Sequence, residues 1–388
     1  MLHLKNATVY TMEKEGILEN CDIVIENGKI KAVGCNLCVE NAEVIDATGK
    51  VIIPGIIDAH SHIGTDDILK GTSECNEMTN PSKPDLDIYY GFDPDNLSFK
   101  LCLKTGITTS VICPGSGNAI GGLTLAMKSY GKDMDSRIIA KPCALKAAMG
   151  INPKGVYGSR EQFPMSRVGV AQLFIDFFEN VKDYMKKKQE ANGEKEKMPP
   201  YDKGLENGQL VLEGKIPLKV HSYQHDMMAL LRWQKEYGFK LTLDHAFGAS
   251  DFYDEIEEAA KNGPGLAVIF GPQYGPLFGG EGCKNDPECV IELSRRGVNC
   301  CIMTDGTVLH PYMIITGAGE IVRRGASVEE ALKMITINAA KVAMAEDKIG
   351  SIKVGKDADI LIWEGTPVLD TDAKVVYTIV DGEIAYKA

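Results

Sequence analysis

Short apolar runs recur through the middle of the chain, each the length of one β-strand and several separated by stretches of helical period. They fall at 51–58, 107–113, 123–129, 137–143, 216–221, 240–245, 266–271 and 298–305. Between them, DMMALLRWQKEYG (226–238) and SVEEALKMITINAAKVAMA (327–345) repeat apolar residues at helical spacing. The second opens on a capping box, Ser327 followed three residues later by Glu330. Eight strands with helical spacers predict an α/β fold, a (β/α)₈ TIM barrel.

The two ends of the chain carry a different pattern. Asn27-Gly28 and Asp381-Gly382 each separate two β-rich runs, and both dipeptides favour the tight hairpin turn that needs positive φ. With DILIW (359–363), these strands predict a small β-sandwich domain built from both termini, residues 1–50 plus 346–388. The barrel then occupies 51–345.

Composition narrows the function. The formal net charge of −12 argues against a nucleic-acid partner, because phosphates call for a basic surface. No apolar run approaches the ~18 residues of a membrane span. The eleven cysteines form no framework, and the first nine residues read as a strand rather than a signal peptide, so a cytoplasmic protein with free thiols is expected. Cys283 and Cys289 lack the second pair that a zinc knuckle needs. The charged run 183–201 reads as a solvated helix end and loop.

Four of the seven histidines stand at the ends of apolar strands. His60 and His62 are two apart, which points both rings to one side of a strand. His221 and His245 close the strands at 216–221 and 240–245, and Asp305 closes that at 298–305. The C-terminal ends of barrel strands form the catalytic face. Imidazoles and a carboxylate gathered there suit Zn²⁺, with Mn²⁺, Fe²⁺ or Co²⁺ as alternatives.

These residues sit in VIIPGIIDAHSH, PGSGNAIGG, ALKAAMGINPKGVYG, LKVHSYQHD, LTLDHA, IMTDG and IGSIKVGKDADILIW. Over nearly its whole length the chain resembles the amidohydrolase superfamily, in the branch of imidazolonepropionase-related and prolidase-like proteins. The resemblance implies a hydrolase of carbon–nitrogen bonds using one or two divalent metals, zinc foremost. It implies that His60 and His62 bind the more buried metal and that His221 and His245 bind a second. Asp305 would bind metal and act as general base, with His245 beside it in catalysis. Many relatives bridge two metals through a carboxylated lysine, for which Lys146 is the candidate, although it lies past the expected end of its strand.

The substrate is expected to be a small-molecule amide, held by loop residues on the same face. Candidates are Asn118 with Gly121 and Gly122, then Asn152, Lys154 and Tyr157, and His225 one turn beyond His221. Deaminases and imidazolonepropionases carry a glutamate three residues after the fifth-strand histidine. Here that position is Gln224, which cannot titrate. Cleavage of an amide, cyclic amide or dipeptide is therefore expected over deamination of a heterocycle. A non-catalytic scaffold would not need all five ligands. Relatives of this barrel commonly form homo-oligomers, so an assembly is expected here too.

Overall fold

The computed structural model describes residues 1–67, 71–274 and 280–388. Its barrel is an eight-stranded sheet. The strands are β1 (Ile56–Ser61), β2 (Ile107–Ile112), β3 (Ile120–Lys128), β4 (Ile138–Ala148), β5 (Leu218–Tyr223), β6 (Leu241–Phe247), β7 (Leu266–Phe270) and β8 (Asn299–Ile302). They pair in chain order, and the ring nearly closes where Ser61 bridges Gly306 after β8.

One strand departs from the expected parallel pattern. β3 pairs antiparallel with both β2 and β4, while β1–β2 and every pair from β4 to β8 are parallel. The cause is connection length. Residues 113–119 are too few for the dozen or more that a parallel crossover requires, so the chain turns straight back. No room is left for a helical spacer there.

Two other strands end elsewhere than the apolar runs suggest. The run 51–58 is not one strand: Val51–Pro54 pairs with the terminal strands, and β1 begins only at Ile56. Gly55 makes the passage, and a Cβ there would fall 2.0 Å from Thr108 Oγ1. β4 runs on to Ala148, so Lys146 lies inside the strand rather than beyond it.

The termini build a second sheet, in the order Glu383–Lys387, Lys374–Val380, Ile360–Glu364, Val51–Pro54, Leu2–Tyr10, Ile17–Glu26 and Lys29–Gly34, with Glu43–Asp46 also pairing with Leu2–Tyr10. Leu4, Ile23, Ile30, Ile52, Ile360 and Ile379, from six of these strands, share one buried core. Asn27, Gly28, Asp381 and Gly382 all take positive φ, as their hairpins demand. The two turns touch: a Cβ on Gly28 would lie 3.1 Å from Asp381 O.

The helices follow from their caps. Ser327 and Glu330 form the capping box, the Glu330 N–H reaching Ser327 Oγ at 3.1 Å and the Ser327 N–H reaching Glu330 Oε2 at 2.7 Å. The run behind it breaks into Val328–Met334 and Ile337–Val342 rather than continuing as one helix. Among the described residues, no helix is long and apolar enough to cross a membrane.

Candidate functional site

β1 delivers His60 to the barrel mouth, and its ring is wholly buried. Its Nδ1–H donates to Asp244 Oδ2, which leaves Nε2 as a lone pair. The His62 Nδ1–H donates to Cys113 O at 2.8 Å and leaves Nε2 in the same state. Both lone pairs face Asp305 Oδ1, at 3.5 Å from His60 and 3.2 Å from His62.

Here three buried polar atoms converge. Among the described residues, none gives a hydrogen bond to buried His60 Nε2, Asp305 Oδ1 or His245 Nε2. One ligand atom from each of His60, His245 and Asp305 lies within 4.8 Å of the others. Lone pairs packed this way repel one another unless a cation stands among them. Imidazole nitrogens with a carboxylate are a donor set that suits a divalent transition metal, and each of the two β1-derived rings is oriented through its other nitrogen, as metal-bound histidines are.

The electrostatics agree. Burial pushes the pKa of His60 and His221 well below the ordinary histidine value and that of His245 to about 4, so all three rings are neutral at pH 7. Burial alone would raise the Asp305 carboxyl, but the imidazoles of His62, His245 and His60 crowded against it hold it far below the usual range. The backbone is strained at the same place: His245, Ala246 and Asp305 take φ of +66°, +53° and +55°.

His221, on β5, packs its ring 3.8 Å from that of His245. Its Nδ1 is 3.0 Å from Ser116 Oγ, which accepts from Lys146 Nζ at 2.8 Å. Lys146 is completely buried, and burial lowers its pKa. On its far side, His221 Nε2 lies 3.4 Å from Asn152 Nδ2. Asn152, Lys154 and Tyr157 share the helix Ile151–Gly158 that follows β4. The Tyr157 hydroxyl is buried and has no hydrogen-bond partner among the described residues.

Asn118 has other work. Its Nδ2 donates to Glu77 O and Asn80 O, so it holds a neighbouring loop. Gly121 and Gly122 likewise admit protein backbone: added Cβ atoms would lie 3.2 Å from Lys146 O and 2.6 Å from Leu86 O. His225 is exposed at the start of the helix Gln224–Tyr237. Gln224 donates to Asp251.

Several residues that hold the site were not singled out from sequence. Asp244 and Lys219 are buried in β6 and β5, Ser116 links Lys146 to His221, and Thr304 donates to Asp58 Oδ2. For the first two a signal existed, a charged side chain inside an otherwise apolar strand.

A profile of the amidohydrolase family matches residues 213–386. The crystal structure of an amidohydrolase from Thermotoga maritima MSB8 is similar over the whole of both chains, with 35% identity and a TM-score of 0.93. The chain belongs to the amidohydrolase family, hydrolases of carbon–nitrogen bonds. This amidohydrolase is also 26% identical to amidohydrolase tasK of Hapsidospora irregularis, across 93% of its own length but only 39% of that protein's. It is 24% identical to a dihydroorotase of Aquifex aeolicus (strain VF5) over the full length of both.

Proposed function

We propose that this chain is a metal-dependent hydrolase cleaving the C–N bond of an amide, a cyclic amide or a dipeptide. One observation carries this reading: the buried meeting of His60 Nε2, His245 Nε2 and Asp305 Oδ1, which have no hydrogen-bond partner among the described residues, with His62 Nε2 beside it. His60, His62, His245 and Asp305 would hold a divalent metal, zinc foremost, with His221 available to a second. A bound metal supplies Lewis acidity, which lowers the pKa of water from 15.7 to about 7.

The chain's own groups do the rest. Asp305 is ionised throughout the physiological range, so it accepts the proton of the attacking water and returns it to the leaving nitrogen. Asn152, beside His221, orients the substrate carbonyl side. Tyr157 offers a buried hydroxyl on the same helix, and Lys154 a cation for a substrate carboxylate. Lys146, whose amine burial drives toward the neutral form, is the candidate to take up CO₂ and bridge two metals. Deamination is disfavoured, because Gln224 cannot shuttle a proton and is engaged with Asp251.

The test begins with elemental analysis of protein purified without chelators, for wild type and Lys146→Ala. A content near two metals per chain that falls toward one in the variant is expected. The metal-loaded enzyme is then offered dipeptides, N-acyl amino acids, cyclic amides and amino-substituted heterocycles. Metal-dependent release of a carboxylate and an amine supports the proposal. Ammonia release from the heterocycles alone, or failure to take up any metal, overturns it.

A further inference from the structure

Inside the barrel, Lys219 grips His60 at two points. Its Nζ lies 2.7 Å from Asp244 Oδ2, the oxygen that receives the His60 Nδ1–H, and donates at 2.9 Å to the carbonyl of Ala59, the residue before His60. The amine therefore crosses from β5 to fix both the backbone that leads into His60 and the carboxylate that orients its ring. Thr242 Oγ1 donates to the other carboxylate oxygen at 2.7 Å, so both oxygens of Asp244 are engaged.

The surroundings make this arrangement costly. Lys219, Asp244 and His60 are essentially without solvent exposure, and the residues near them include Ala59, Cys113 and Cys301, all buried. An apolar pair of similar volume in such a place is often as stable as the ion pair or more so. Stability alone does not account for a charged pair here. What the pair supplies is the direction of one nitrogen, His60 Nε2, which it aims at Asp305 and His245.

We propose that Lys219 is the positioning residue of the metal centre: through Asp244 and the Ala59 carbonyl it sets the tautomer and aim of His60. The inference rests on the reading of His60 as a metal ligand and adds the part that prepares it. Loss of a group that orients a ligand typically weakens metal affinity by about 10–100-fold. Lys219 touches neither metal nor substrate in this scheme, so its removal acts on affinity for the ion first.

The experiment measures the dissociation constant of Zn²⁺ by competition with a chromophoric chelator. It compares wild type, Lys219→Met, and the double variant Lys219→Met/Asp244→Asn, with folding checked by circular dichroism. The double variant leaves no uncompensated buried charge and keeps an amide oxygen for the His60 Nδ1–H, so it folds even if the single one does not. Affinity weakened 10–100-fold in the folded double variant is expected, because no amine then ties the side chain at 244 to the Ala59 carbonyl, and Thr242 alone holds it. Wild-type affinity in that variant overturns the proposal and leaves Lys219 as a mere counter-charge. Absence of Zn²⁺ binding by wild type overturns it too, and separately identifies the reading of His60 as the faulty premise.

Discussion

Lys128 and Asp359 form a buried ion pair, 3.1 Å apart, across the seam between the barrel and the terminal sheet. Lys128 ends β3, the reversed strand, and Asp359 immediately precedes the strand Ile360–Glu364. The same ammonium lies 2.8 Å from Asp357 and 2.6 Å from Asp381, so one barrel residue collects three carboxylates of the terminal segment. The reversal of β3 places its last residue at the barrel's base, where the sheet is. Lys128, a charge inside an apolar run, is in the fold the bond between two layers.

Removing that cation strands the carboxylates. Breaking a buried pair by removing one partner costs about 3–5 kcal/mol, and the partly exposed Asp381 places Lys128→Met toward the lower end. The penalty depends on pH. Burial pushes the Asp359 carboxyl up to about 6, above its unfolded value of 3.8. A raised folded pKa contributes stability that is present below 3.8 and lost as pH rises through about 6. Lys128→Met is therefore expected to lose more stability at pH 8 than at pH 5, where protonation relieves Asp359. Urea denaturation of wild type and variant at both values checks this; an equal penalty would count against the assignment.

Metal removal gives a second prediction. A ligand bound only by the folded state adds about 2.7 kcal/mol when present at 100 times its Kd. Chelation is expected to lower the melting temperature, and a divalent ion such as Zn²⁺ to restore it. The double substitution His60→Ala/His245→Ala is expected to abolish the difference between chelated and reloaded protein. Differential scanning calorimetry reads both.

Asp305→Asn separates proton transfer from substrate binding. General-base catalysis contributes about 10²–10⁴-fold to rate. With metal content verified for each preparation, kcat is expected to drop by that factor while KM changes little. A variant that retains full kcat removes Asp305 from the role of base.

Gly122→Ala distinguishes a ligand-facing glycine from one that admits protein. The added methyl carbon would fall 2.6 Å from Leu86 O, a backbone atom that cannot swing aside. The expected result is a stability loss of about 1–3 kcal/mol, as for other overpacked sites, with KM per folded molecule unchanged. A raised KM with unchanged stability would return this glycine to the substrate pocket.

What the sequence disclosed, and what it concealed, follows from the range of the signals. The eight barrel strands and the two terminal hairpins are written in local patterns, an apolar run or a turn dipeptide, and each is present in the structure. Direction is not local. Nothing in residues 120–128 says that they run backwards; only the shortness of 113–119 does. The strand break at Gly55 was hidden because an apolar run reads the same whether it serves one sheet or two. The gathering of His60, His62, His245 and Asp305 follows from their shared position at strand ends. Asp244 and Lys219 were harder, because a charge inside an apolar strand does not announce its partner. At His245 and Ala246 the backbone leaves the extended region, so simple alternation no longer says which way each side chain points.

The strand Val51–Pro54 takes one partner from the start of the chain and the other from its end: Leu2–Tyr10 on one side, Ile360–Glu364 on the other. During synthesis on the ribosome, the first pairing can form early, while the second waits until the entire barrel has emerged. Through that interval the nascent chain carries an open row of backbone donors and acceptors, the kind of edge that recruits other strands. A product of interrupted translation that lacks 360–387 would keep that edge permanently, and would be a substrate for chaperones or proteases before it could ever be an enzyme.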